Sequence, residues 1–411
     1  LTERQLGDEP AAFTWARGAY ALAPRDAKVG ERLEAMAAAT GAWAELSRCY
    51  EGRLANDDVD PEEATTLRRR LAVLAAEKLE RPETAATQLE AVLAEHPTDT
   101  TVRATLERIY ASLDRPDDVL RLKQHALEHA TDDEARIDAW HALAVFHEQL
   151  EDTAAAIEGH QAALALDADN ERALEALDRL LTGESRWSEL VSVLERRREL
   201  APAERASLTL RLADLRREKL NDAAGALAEY AEAVALEPTS DGARVGLEAL
   251  AEAEGAPTIE IGRHLERAYE ATGRHEALYG VLTARLEQVQ DDDERRELQL
   301  RIAELAGTAL GDADGAYAAL ESAFLDRPAD PDLWDRLGAA ADAAGKHEAL
   351  AAAFATALEA AELDEDTTAS LSRRIAEVYD VVIGEPAKSE PFHKRVLAHD
   401  PQDERSFLAL K

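Results

Sequence analysis

One interval constrains this chain more than any other property. A large apolar residue is followed by a small residue six places on, a small or β-branched residue thirteen places on and, in all but one case, proline eighteen places on. The anchors are Leu6, Leu79, Leu150, Leu220, Leu310 and Ile383, spaced 73, 71, 70, 90 and 73 residues apart. Ala12, Ala85, Ala156, Ala226, Ala316 and Ser389 take the sixth place, and Ala19, Val92, Ala163, Ala233, Ala323 and Val396 the thirteenth. A chain that repeats at such a period folds as an array, each unit burying its apolar face on its neighbours, and not around a single core.

The interval is about twice a roughly 34-residue helix-turn-helix unit, so each long unit is expected to hold two helical hairpins. The second hairpin has its own mark, a turn leading into a Glu-Leu or similar pair, as in Trp43-Ala44-Glu45-Leu46, Trp187-Ser188-Glu189-Leu190, His275-Glu276-Ala277-Leu278 and His347-Glu348-Ala349-Leu350. The helix before the anchor repeats as well, from Arg70-Leu71-Ala72 to Arg211-Leu212-Ala213, Arg301-Ile302-Ala303 and Arg374-Ile375-Ala376. Apolar residues between these marks recur at three and four, the amphipathic helix spacing, and two-residue alternation is scarce. Asp, Asn and Pro gather at the turns, where Asp and Asn cap the next helix and proline closes the previous one or opens the first turn.

The segment after each anchor resembles the second helix of a tetratricopeptide repeat, with Ala226, Tyr230, Ala233 and Pro238 the best fit and Ala316, Leu320, Ala323 and Pro328 nearly as good. Alanine in these slots lets two helix backbones approach closely. The first helices depart from the family pattern, lacking most of its Trp, Leu-Gly and Tyr. The resemblance implies an all-α fold, a right-handed α-solenoid of stacked antiparallel helical hairpins. One unit departs from the rhythm: between Pro238 and Leu278 it carries about eighteen extra residues around Glu254-Gly255-Ala256-Pro257. Gly255 and Pro257 break a helix and Ile259 to Thr272 can form one of its own, so a bend or hinge at 254–258, or a binding insert, is expected. It divides an N-terminal array, 1–254, from a C-terminal one, 255–411, of the same solenoid.

Aspartate and glutamate number 84 against 47 lysines and arginines, a formal charge of −37. Such a field repels phosphate backbones, which argues against nucleic acid as a partner. No apolar run is long enough for membrane insertion, and no leader or lipid-attachment motif is present. A single cysteine, Cys49, excludes an intrachain disulfide and a thiolate metal cluster, and fits a cytoplasmic location without excluding the periplasm.

Catalytic chemistry finds no foothold. There is no P-loop, zincin helix, dinucleotide loop or nucleophile elbow, and in so acidic a chain paired carboxylates carry no information. His125 and His129 share a helix face at metal-ligand spacing but lack a third ligand. His141 and His147 fall far apart around their helix. No catalytic residue, metal or cofactor is therefore expected. Trp15, Trp43, Trp140, Trp187 and Trp334 read as packing residues, and Cys49 as a buried small hydrophobe.

Arg70, Arg211, Arg301 and Arg374 each stand nine residues before an anchor. Repeat symmetry would line them up on one face, and the resemblance places first helices along a concave groove. They are candidate partner-binding residues for the carboxylates of an extended peptide. Alternatively each pairs with an acid of the adjoining helix. The unit of Leu150 carries His141 in that slot. The expected function is a non-catalytic scaffold or adaptor for a protein or extended peptide. The alternatives are a structural subunit that stacks on itself through open solenoid ends, near Phe407 and Leu408, and the adaptor arm of a longer protein.

Overall fold

The computed structural model describes residues 9–360 and 362–411. The anchor Leu6 lies outside them. The described residues form helices throughout, with no strand, in two compact units that divide between Leu200 and Ala201.

The first unit contains α1 (Glu9–Leu22), α2 (Ala27–Thr40), α3 (Trp43–Leu54), α4 (Pro61–Glu77), α5 (Pro82–Glu95), α6 (Thr100–Ser112), α7 (Pro116–Glu128), α8 (Asp133–Gln149), α9 (Thr153–Leu166), α10 (Glu171–Gly183) and α11 (Trp187–Leu200). The second contains α12 (Arg205–Glu218), α13 (Ala223–Leu236), α14 (Asp241–Ala251), α15 (Thr258–Thr272), α16 (His275–Leu286), α17 (Asp292–Leu305), α18 (Ala313–Asp326), α19 (Pro331–Ala344), α20 (His347–Ala360), α21 (Glu365–Glu377), α22 (Pro386–His399) and α23 (Glu404–Ala409). Within each unit every helix packs on the next, the arrangement of a tetratricopeptide-like array.

The small residues of the repeat do what their size permits. Ala85, Ala156, Ala226, Ala316 and Ser389 are buried, as are Val92, Ala163, Ala233, Ala323 and Val396. At Gly159 the approach is so close that an added Cβ would stand 2.9 Å from the Ala144 Cβ. The first repeat departs: Ala12 is buried but Ala19 is exposed, and Ala16 and Tyr20 face the core of α1 instead. The anchors themselves are not deep core. Leu79, Leu220, Leu310 and Ile383 are half-buried and Leu150 is exposed, because each sits at the end of its helix, where a turn covers it on one side only. Asp60, Asp99, Asp132, Asn170, Asp222, Asp312 and Asp403 cap the helices that follow, each side chain accepting a backbone N–H.

Turns from a first to a second helix carry one residue of positive φ each: Gly41, Glu80, Asp114, Glu151, Ser185, Asn221, Gly255, Gly273, Gly311, Gly345 and Gly384. Neighbours in that series are 34 to 39 residues apart, except Gly255 and Gly273, which are eighteen apart. The extra residues are therefore one helix, α15. The chain enters α15 through the turn that normally opens a second helix and leaves it through the turn that normally closes a first one. Helix α14 stops at Ala251 and α15 starts at Thr258, with Gly255 at φ +75° between them. The two helices pack directly on each other.

One helix inserted into an alternating stack exchanges the roles of its two rows. Arg267 of α15 donates to the Ala235 carbonyl of α13 at 3.3 Å, and Glu266 and Glu270 of α15 pair with Arg301 of α17. Thus α13, α15 and α17 lie side by side. The row made by a second helix before the insertion is continued by a first helix after it.

Candidate protein-binding groove

In the first unit the even-numbered helices form one row. Arg70 of α4 pairs with Glu34 of α2 at 3.3 Å, Arg69 of α4 with Asp99 at the start of α6, and Arg172 of α10 with Asp138 of α8 at 3.4 Å. Three open depressions run along this row. The first, about 660 Å³, lies between α2 and α4 with Trp43, Leu46 and Tyr50 of α3 on its floor. The second, about 730 Å³, lies between α4 and α6. The third, about 700 Å³, lies between α6 and α8. Arg69 and Val73 line both the first and the second, and Arg108 both the second and the third, so the three run together.

The lining mixes apolar and charged residues. Val73 is 53% exposed and Val145 46%, and Ala76, Ala104, Ala111 and Ala142 leave room around them. Its charges are balanced. Arg69, Arg70, Lys78, Arg108, Arg115 and Lys123 face as many carboxylates, those of Glu31, Glu34, Glu77, Glu80, Glu107 and Asp114. Four of the cations are engaged: Arg69 and Arg70 as above, Arg115 with Asp118, and Lys123 with Glu107 at 3.4 Å. The side chains of Lys78 and Arg108 make no ion pair or hydrogen bond among the described residues; the Lys78 ammonium stands 5.6 Å from the centre of the Trp43 ring. Glu34, besides holding Arg70, accepts the Tyr50 hydroxyl at 2.6 Å, and burial together with that bond pushes the phenol above its ordinary range.

The four repeat arginines are placed differently from one another. Arg70 lines the groove. Arg211 is exposed on α12, in the row that α14 continues. Arg301 pairs with Glu266 at 3.3 Å and with Glu270, and Arg374 of α21 pairs with Asp335 of α19 while lying 5.9 Å over the Trp334 ring. Because of the row exchange at α15, Arg211 is not in line with Arg301 and Arg374. Trp15 is not a packing residue: it is 71% exposed on the outer face of α1. Trp334 is buried and donates to the Pro328 carbonyl at 2.8 Å. Cys49 is half-buried, which raises its thiol pKa above the ordinary value. The His125 and His129 rings stack at 4.2 Å, and burial lowers the pKa of His125.

Lys78 and Arg108 were not singled out by spacing. A signal for Lys78 exists: it directly precedes the anchor Leu79, as Lys219 precedes Leu220, in a chain poor in lysine. Arg108 has a counterpart in Arg179, each standing 29 residues after its anchor, but only the folded chain brings Arg108 between Val73 and Val145.

No family model matches this chain, and no curated protein does. Among solved structures it is similar to the complex described as Naa15/Naa10 bound to HypK-THB, at 14% identity and a TM-score of 0.33, over 96% of this chain and 61% of that one. This chain thus spans less than two thirds of that chain's length. It is also similar to MamA, at 17% identity and a TM-score of 0.28 over 43% of this chain and 94% of that one. The same holds for YrrB, described as a TPR protein with an unusual peptide-binding site, at 16% and 0.28 over 49% and 99%. At such scores the assignment of the fold rests on the helices themselves. No helix among the described residues is long and apolar enough to cross a membrane.

Proposed function

We propose that the chain is a non-catalytic interaction scaffold, and that the groove along α2, α4, α6 and α8 holds an extended peptide whose carboxylates alternate with apolar side chains. One observation carries this reading. In a chain of 84 acids and 47 basic residues, the groove is charge-balanced and holds two cations whose side chains make no ion pair among the described residues, Lys78 and Arg108, beside exposed valines. Carboxylates of the peptide would meet Lys78 and Arg108, with Arg70 available by exchange from Glu34, and its apolar residues would cover Val73 and Val145. Charge-assisted bonds give such a surface its selectivity, and burial of the valines adds affinity.

The test is fluorescence anisotropy with labelled ten-residue peptides alternating Glu and Leu, against controls with Lys in place of Glu. The acidic peptide should bind, and the double variant K78E/R108E should weaken it at least tenfold without changing the helical circular dichroism. Equal binding by the variant, or preference for the basic peptide, would sink this reading. Self-association is a second reading, supported by Phe407 and Leu408 of α23, which are exposed. Sedimentation across a concentration series decides it, since oligomers would have to disappear in F407E/L408E.

A further inference from the structure

In the unit of Leu150 the repeat's arginine slot holds His141, and the structure sets a second histidine against it. His141 of α8 and His160 of α9 are each 2% exposed, with their Nδ1 atoms 3.2 Å apart. His160 stands ten residues after its anchor, the slot that Tyr230 fills one unit later. A chain of contacts runs through the pair. His141 Nε2 is 2.9 Å from Asn170 Oδ1, and His160 Nε2 is 3.4 Å from Glu148 Oε1. Asn170 Oδ1 also accepts the Ala173 N–H as the cap of α10, which fixes that atom as oxygen, so His141 Nε2 carries a hydrogen. Glu148 is paired with Arg179 of α10 and is a carboxylate.

Counting hydrogens along this chain leaves little freedom. With both rings neutral, one of two contacts fails. Either two lone pairs face each other across the Nδ1–Nδ1 gap, or a lone pair of His160 Nε2 faces the Glu148 carboxylate. With one added proton every contact has one donor and one acceptor. With two, a pair of N–H groups is forced together at 3.2 Å. We propose that His141 and His160 form a single proton-binding site, which takes up one proton and excludes a second, and that this limit makes the α8–α9–α10 step loosen in acid.

The sign follows from linkage. Unfolded, the two histidines titrate independently near the ordinary value of about 6.5 and bind two protons below it. Folded, they bind one at most. The unfolded or locally opened state therefore holds at least one more proton, and stability falls as pH drops, by tenfold in the opening constant for each pH unit. Burial, the larger influence, also lowers the pKa of His160 against the pull of its bond to Glu148, with His141 and Arg179 opposing the charge further. This delays the first proton and widens the difference in the same direction. The charged groups bearing on the pair are Glu148 of α8 and Arg179 of α10; Asp138 of α8 and Arg172 of α10 lie at the surface and pair with each other. The proposal is independent of what the groove binds.

Two measurements on the full chain test it. In NMR of the histidine-labelled protein, the His141 and His160 rings should shift together in one step that accounts for one proton, with the second absent until the region opens. In hydrogen exchange, peptides from α8 to α10 should open about tenfold more for each pH unit between 6 and 5, after correction for the intrinsic rate, while peptides from α13 do not. His141→Arg, which restores the residue of the other repeats, and His160→Gln should each flatten that slope. Two independent one-proton titrations with normal values, or a wild-type slope equal to that of α13, would overturn the proposal even if both variants fail to fold.

Discussion

Glycine at two helical positions shows how finely size is set residue by residue. Gly246 of α14 packs on the buried Tyr230 ring, and an added Cβ would stand 2.2 Å from its Cζ. The ring cannot retreat, because its hydroxyl donates to Asp214 at 2.6 Å and accepts from Arg217 at 2.9 Å. Gly338 of α19 has nothing within 4 Å of the same point. Gly246→Ala should therefore destabilise by about 2 kcal/mol despite the better helix propensity of alanine, and Gly338→Ala should stabilise by up to about 1 kcal/mol. Urea unfolding of the two variants checks the pair, and equal effects would refute the packing account. The alanines of the repeat could be read from spacing because a close approach demands the same small residue in every unit. The His141–His160 contact could not, since it joins residues of two helices that differ from their counterparts independently. Only the histidine in an arginine slot marked it, because the slot of His160 is variable and holds Leu89, Tyr230, Leu320 and His393 in other units.

At the scale of the helix, the sequence pattern marked hairpin turns and the length of the insertion, because turns are built from local chemistry. What it left open was the direction in which the stack resumes, which depends on how many helices the extra residues make. Deleting residues 255–272 removes one helix together with one positive-φ glycine, and joins α14 to Gly273 at the ordinary repeat length. That variant should keep cooperative unfolding and a helical spectrum. Deleting 258–272 alone removes α15 and leaves two turns in series, and should unfold non-cooperatively. Circular dichroism melts of both distinguish a modular insertion from one on which the fold depends.

Across the whole molecule, charge outweighs every other surface property. A formal charge of −37 repels itself across an array that has no deep single core to resist it. Raising monovalent salt from 0.01 to 0.15 M shortens the screening length from about 30 to about 8 Å. The melting midpoint should rise by about 2–4 °C for each kcal/mol of self-repulsion relieved. A midpoint that falls instead would mean that cross-helix pairs such as Arg301–Glu266 and Arg285–Glu294 outweigh the repulsion. Composition alone announces the charge. That it is balanced along one row of first helices was not legible, because neutralising cations such as Lys78 and Lys123 do not recur in every repeat.

The eighteen residues between Gly255 and Gly273 have a further consequence for anyone comparing repeats by alignment. An odd number of added helices works as an inversion: identical slots before and after α15 point to opposite sides of the second unit. Substitutions at matching positions there will report on different surfaces. A partner that follows the first helices of this unit must cross from one side to the other, so the unit offers two shorter tracks of unequal length in place of one long one.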